Sequence, residues 1–195
     1  MMDEQARSER YFGRTLLRAV VGEVVDQPVE AIVYLANSRG MMEAGSAKSI
    51  RLIGGAGVER EAMALAPHRL GSIFMTGSGR LRQLNTISFI FHTVLSNMLG
   101  EPPRADLVPR VLTELLETAE QRRVRSIAIP VIGAATEAST EERAAAIDTM
   151  VDAIVTYLRR TATRFERIIL VARFADDEPL LAASIDRARR RTWVE

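Results

Sequence analysis

At 195 residues, 47% hydrophobic and 26% charged, the chain has the size and make-up of one globular domain with a substantial core. A net charge of +1 gives no global case for attraction to nucleic acid or membrane, and the absence of cysteine removes disulfides, thiolate catalysis and Cys-based metal sites. Two histidines, His68 and His92, make a histidine-rich metal centre improbable, and no apolar run approaches the roughly 20 residues that cross a bilayer.

The first residues, MMDEQARSER, lack the apolar segment of a signal peptide, so the expected location is the cytoplasm. Residues 1–12 read as a polar N-terminal extension, and 13–195 as a single domain. Arg14–Val21 reads as a strand closed by Gly22, and Ala31–Leu35 as a short buried strand. Two helices follow, 45–53 and 58–66, split by the GGAG segment 54–57. Ser72–Thr76 is a predicted strand, 77–83 a turn, and Thr86–Leu95 a β-branched and aromatic strand. After a second turn, 100–106, apolar residues at 108, 111, 112, 115, 116 and 119 repeat with helical period over 107–123. Ser126–Val131 is another apolar strand. Ser139-Thr140-Glu141-Glu142 has capping-box spacing and opens a predicted helix to about residue 160. Strand 167–172 and helix 179–190 complete the chain. Late strands alternating with long helices imply parallel βα units, with helices on both faces of the sheet. Burial on both faces explains why these strands run apolar throughout.

The segment AIVYLANSRGMMEAGSAKSI (31–50) carries the strongest functional signal. An apolar strand breaks into a polar loop at Asn37–Gly40, and a small-residue helix start follows. That order puts backbone N–H groups at the carboxyl end of a strand, where α/β proteins bind anions. RSIAIPVIGAATEASTEE (125–142) has the same form, so one cleft built from two loops is expected.

Five segments in order resemble the macro domain, the module that binds and processes ADP-ribose, over about residues 14–190. VVGEVVDQPVEAIVYLAN is similar to its first two strands, and IGGAGVEREA to its Ala-Gly-Gly helix junction. GSIFMTGSGRL and FIFHTV are similar to the two strands that follow, and VRSIAIPVIGA to the strand entering the phosphate loop. The resemblance implies a three-layer α/β/α sandwich around a mixed, mostly parallel sheet, with the ligand cleft at the strand ends. It implies a ligand-binding set of Glu23, Asn37, Gly45, Ser46, Gly133, Ala134, Ala135, Thr136 and Glu137, with Asn37 as the candidate catalytic residue.

Departures from the family pattern fall in that cleft. Glu23 stands where the family has an adenine-contacting Asp. The first asparagine of the Asn-Ala-Ala-Asn segment is Tyr34, and the second is kept as Asn37. The triple-glycine loop reads Glu43-Ala44-Gly45. Glu137 takes the place of an aromatic residue in the second loop, and Ala135 and Ala138 replace its glycines. Glycine lets a backbone approach phosphate closely, and alanine restricts that. A carboxylate about 5 Å from a phosphate charge costs roughly 3 kcal/mol at an effective dielectric near 20. Glu43 and Glu137 together would cancel much of a micromolar affinity, worth about 8 kcal/mol. Arg39 or Lys48 would offset this if they face the cleft.

Each residue also has a plainer role. Asn37 suits a turn after a strand, Glu23 a solvated turn, and His92 a core position. GGAG reads as a helix packing junction, Tyr34 as a packing residue, and the arginines at 187–191 as a solvated helix end. The reading that follows is a macro-domain-like protein with a diverged cleft. It binds ADP-ribose or a related nucleotide-derived small molecule weakly or with altered specificity, and no cofactor is expected. The alternatives are a hydrolase of ADP-ribosyl or O-acyl-ADP-ribose linkages, or an ADP-ribose-1″-phosphate phosphatase, resting on Asn37. A non-enzymatic scaffold with an empty cleft, as a homo-oligomer, is the third reading.

Overall fold

The structure, a computed structural model, describes residues 9–43, 46–98, 100–135 and 137–191. Seven strands form one mixed sheet: β1 (Glu9–Phe12), β2 (Thr15–Val21), β3 (Ala31–Asn37), β4 (Ile73–Gly77), β5 (Phe89–Ser96), β6 (Ser126–Pro130) and β7 (Arg167–Ala172). Their spatial order is β1-β2-β7-β6-β3-β5-β4. The five inner strands are parallel, and the two edge strands, β1 and β4, run antiparallel to their neighbours.

Helices cover both faces. α1 (Ser46–Gly54), α2 (Ala56–Ala64) and α3 (Leu81–Asn85) pack on one, and α4 (Val108–Gln121), α5 (Thr140–Arg160) and α6 (Asp177–Arg190) on the other. The alternation of a strand distributes residues between the two cores. Along β3, Ala31 and Val33 enter the core under α4 and α5, whereas Ile32, Tyr34 and Ala36 enter the core with α1. The helical period read at 108–119 is the buried stripe of α4: all six of its apolar positions are buried. The capping box forms as its spacing implies. The Ser139 hydroxyl accepts from the Glu142 N–H at 3.2 Å, and the Glu142 carboxylate accepts from the Ser139 N–H at 2.8 Å.

Three local expectations change. Residues 9–12 of the expected extension pair with β2 as an edge strand, Phe12 reaching the core. The segment expected to turn through residue 83 instead forms α3 from Leu81, with Leu81 buried. The strand expected from Thr86 begins at Phe89, because Thr86 takes a left-handed conformation (φ 64°) as the cap of α3.

The sheet order places the cleft. Chain connections leave β3 toward β4 and β5 on one side and arrive at β6 and β7 on the other, so direction reverses between β3 and β6. Pairing between those strands covers only Ala31–Ile32 with Ile127–Ala128, although β3 continues to Asn37 and β6 to Pro130. The two strands part toward their carboxyl ends, and a crevice opens at the topological switch point.

Candidate functional site

A cleft of about 710 Å³ lies at the carboxyl ends of the parallel strands. Each delivers residues to it: Gly22 and Glu23 after β2, Asn37 and Ser96 at the ends of β3 and β5, Val131 after β6, and Arg173 and Phe174 after β7. This volume is in the range of small-molecule sites.

The first loop, 37–43, is braced from within and from below. Asn37 is 3% exposed, and its Oδ1 accepts from the N–H of Arg39 (3.0 Å) and of Met41 (3.3 Å). Its Nδ2 donates to the Met41 carbonyl at 3.0 Å, and the Tyr34 hydroxyl donates to the same oxygen at 3.3 Å. Asn37 therefore combines the turn role with a place in the cleft wall. From α2, Glu59 accepts from the Met42 N–H at 2.8 Å while pairing with Arg51 at 2.8 Å.

Beneath the wall, Tyr34, His92, Phe74 and His68 form a column of rings. Tyr34 meets His92 edge-on, and Phe74 lies stacked between the two imidazoles. Thr76 Oγ1 is 2.9 Å from His92 Nε2, and His92 Nδ1 is buried without a hydrogen-bond partner among the described residues. Burial, reinforced by the charge of His68, pushes His92 down to about 3. Burial also raises the Tyr34 phenol well above its ordinary value, with the Glu59 charge adding to the shift. His92 is a core histidine, away from the cleft lining, and its partner is a side-chain hydroxyl rather than backbone.

The second loop, 131–138, turns through Gly133 (φ +96°), where an added Cβ would meet Val108 Cγ2 at 2.9 Å. The Ala138 N–H closes a turn onto the Ala135 carbonyl at 3.2 Å. Among the described residues, the N–H groups of Ala134 and Ala135 have no protein acceptor. Arg143, on the first turn of α5, lines the cleft and ties this loop to α6. Its Nε donates to Asp177 Oδ1 and its Nη1 to the Ala138 carbonyl, both at 2.7 Å.

Of the residues expected at the site, Glu23, Asn37, Ser46, Ala134, Ala135 and Glu137 line the cleft together. Gly133 shapes the loop from behind, and Gly45 and Thr136 lie outside the described residues, as does Ala44. The two suspected acids separate. Glu137 lines the cleft and is exposed, whereas Glu43 is exposed outside the lining. Arg39 and Lys48, expected to be able to offset them, are likewise exposed and outside it.

Among the described residues, the cations that line the cleft are Arg143 and Arg173, neither singled out from sequence. Phe174, 46% exposed at the rim with the Arg173 guanidinium 6.0 Å from its ring centroid, was also missed. A signal existed for each. Arg143 lies four residues beyond the N-cap Ser139, one turn above it, and Phe174 is the second residue after a parallel strand, in the loop at its carboxyl end.

Comparison with known proteins agrees with this architecture. The family model described as Macro domain matches residues 33–147. An uncharacterized protein of Aquifex aeolicus is 30% identical over 156 residues, 80% of this chain and 88% of that protein. A DNA ADP-ribosyl glycohydrolase of Thermus aquaticus is 31% identical over 121 residues, 61% of this chain but only 33% of that protein. Among solved structures, the Oceanobacillus iheyensis macrodomain with ADP superposes with a TM-score of 0.79 at 17% identity, covering 94% of this chain and 96% of that one. The chain belongs to the macro domain family, and its seven-stranded sandwich has the family's fold. Among the described residues no helix is long and apolar enough to cross a membrane.

Proposed function

We propose that the cleft binds ADP-ribose or a closely related nucleotide-derived molecule, with weaker or altered recognition relative to the family pattern. The observation that carries this reading is the joint position of Glu23, Phe174 and the 131–138 loop around one cleft. Phe174 offers a ring face on which a base can stack, and the Glu23 carboxylate can accept from an exocyclic amine. The amides of Ala134 and Ala135 are donors for phosphate oxygens. The solved Oceanobacillus macrodomain, of the same fold, was obtained with ADP. The altered part rests on Glu137, an acidic residue of that loop among those lining the cleft.

One calorimetric series tests both parts. Wild type is expected to bind ADP-ribose more weakly than low micromolar. Phe174→Ala weakens binding about tenfold, the value of one stacked base. Glu137→Gln tightens it about three- to tenfold, the electrostatic gain being moderated by solvent at an exposed carboxylate. No binding by any variant removes the nucleotide reading. Low-micromolar binding by wild type removes only the altered-recognition part.

Hydrolysis of an ADP-ribosyl linkage is the second reading, favoured by the 31% identity to the Thermus glycohydrolase. Asn37 is its candidate residue. Release of ADP-ribose from modified DNA or protein, lost in Asn37→Ala while that variant remains folded, would support it; a wild type without turnover would remove it.

A further inference from the structure

We infer that Arg143 forms an anion subsite of the cleft, a fixed guanidinium that receives a phosphoryl oxygen of the ligand beside the 131–138 loop. The inference deepens the nucleotide reading and names the residue that decides specificity toward the ligand's charged portion.

The geometry of one side chain supports it. A guanidinium has five N–H donors. Two are engaged, Nε by Asp177 and Nη1 by the Ala138 carbonyl, and among the described residues the other three have no protein partner. The Arg143 side chain is 20% exposed and lines the cleft, while its partner Asp177 is 5% exposed at the start of α6. The fork is thus gripped from two sides, by the carboxylate of one helix and by the carbonyl at the end of the loop. An arginine held in this way loses little further rotamer freedom when an anion arrives.

The surrounding charge makes this residue matter. Among the described residues, Glu23, Glu101, Glu137 and Asp177 line the cleft against Arg143 and Arg173. Arg173 is exposed, with its guanidinium near the Phe174 ring. Glu101 is tied to its own loop, accepting from the N–H groups of Asn97 (3.0 Å) and Met98 (3.1 Å). An anionic ligand entering this lining meets a net excess of carboxylates, and backbone amides alone carry no formal charge to oppose it. Arg143 supplies a formal positive charge at a fixed place beside the Ala138 end of the amide-bearing loop. Charge-assisted hydrogen bonds of this type are stronger than neutral ones and geometrically selective.

The test measures calorimetric binding of ADP-ribose and of inorganic pyrophosphate to wild type and to the double variant Arg143→Gln/Asp177→Asn. Replacing both partners removes the cation without stranding a buried carboxylate, so the fold is kept. Thermal unfolding and circular dichroism verify that it is. Should the double variant not fold, Arg143→Lys provides the same comparison, with an expected loss of about threefold or more. The expected result is a loss of about tenfold or more in ADP-ribose affinity in the double variant, the value of charge-assisted hydrogen bonding. Binding of either anion to the folded variant within twofold of wild type overturns the subsite, as does a wild type that binds neither anion. Arg143-dependent binding of pyrophosphate without binding of ADP-ribose would sustain the subsite and remove the nucleotide reading.

Discussion

As pH falls from about 6.5 toward 4, His92 alone is expected to lower the unfolding free energy by roughly 1 kcal/mol per pH unit. Its ordinary value is 6.5, and burial brings it to about 3 in the folded protein. Above 6.5 the imidazole is neutral in both states, and the contribution is fully present. Below 6.5 the unfolded chain takes up a proton that the folded one refuses, so acid favours unfolding until the pH reaches the folded value. The refusal has a structural cause. His92 is fully buried between Phe74 and the edge of Tyr34, and among the described residues its Nδ1 lacks a hydrogen-bond partner and its Nε2 meets the Thr76 hydroxyl. A charged imidazole there would have no counter-ion among the described residues, and His68 across Phe74 adds repulsion. Other groups titrate over the same window, so the measurement is a difference. Urea unfolding of wild type and His92→Gln between pH 7 and 4 should give curves that converge as pH falls. Parallel curves would mean that His92 does not carry this acid sensitivity.

Gly40→Ala is expected to cost about 2–4 kcal/mol of stability, from left-handed backbone strain together with overpacking. Gly40 has φ +71°, and an added Cβ would come within 2.8 Å of both the carbonyl carbon and oxygen of Ala62 in α2. Those are backbone atoms of a helix, so the loop must move instead. The displaced loop is the one whose Met41 carbonyl receives Asn37 and Tyr34, and whose Met42 N–H reaches Glu59. Ligand affinity should therefore fall along with stability. Gly13 is the control: its φ is +60°, but an added Cβ meets nothing within 4 Å. Gly13→Ala should cost only the backbone strain, about 1 kcal/mol. Thermal unfolding of the two variants separates the terms, and equal losses would show that contact with α2 contributes nothing.

Among the described residues, four acidic residues and two arginines line the cleft between the two loops. The expectation from sequence was two acids opposing the ligand, one on each loop. The structure keeps Glu137 in the cleft and leaves Glu43 outside it, so the opposition at the loops is one-sided. The cation tied to the second loop is Arg143 on α5, whereas Arg39 and Lys48 lie outside the lining.

Elements whose signals lie within one or two turns of chain are legible in the amino-acid string. The apolar runs at 31–35, 126–131 and 167–172 became β3, β6 and β7, the stripe at 108–119 became the buried face of α4, and Ser139 and Glu142 closed their capping box. The order of family-like segments carried the sandwich as well, because buried parallel strands alternating with amphipathic helices have few ways to cover both faces. Tertiary structure alone decided which of these pieces meet. Residues 9–12 read as polar extension until pairing with β2 made them a strand, since an edge strand draws its order from its neighbour's ladder. Asn37 identified itself as a cleft residue, yet nothing in its own segment showed that its amide is already engaged by Met41 and Arg39. Arg143 and Phe174 joined the site because β3 and β6 separate beyond Ile32 and Ala128, a consequence of strand order across the whole sheet. Periods and caps are short-range interactions and are legible in a linear string. The direction of a side chain into a shared crevice depends on packing between segments a hundred residues apart, and no local pattern encodes it.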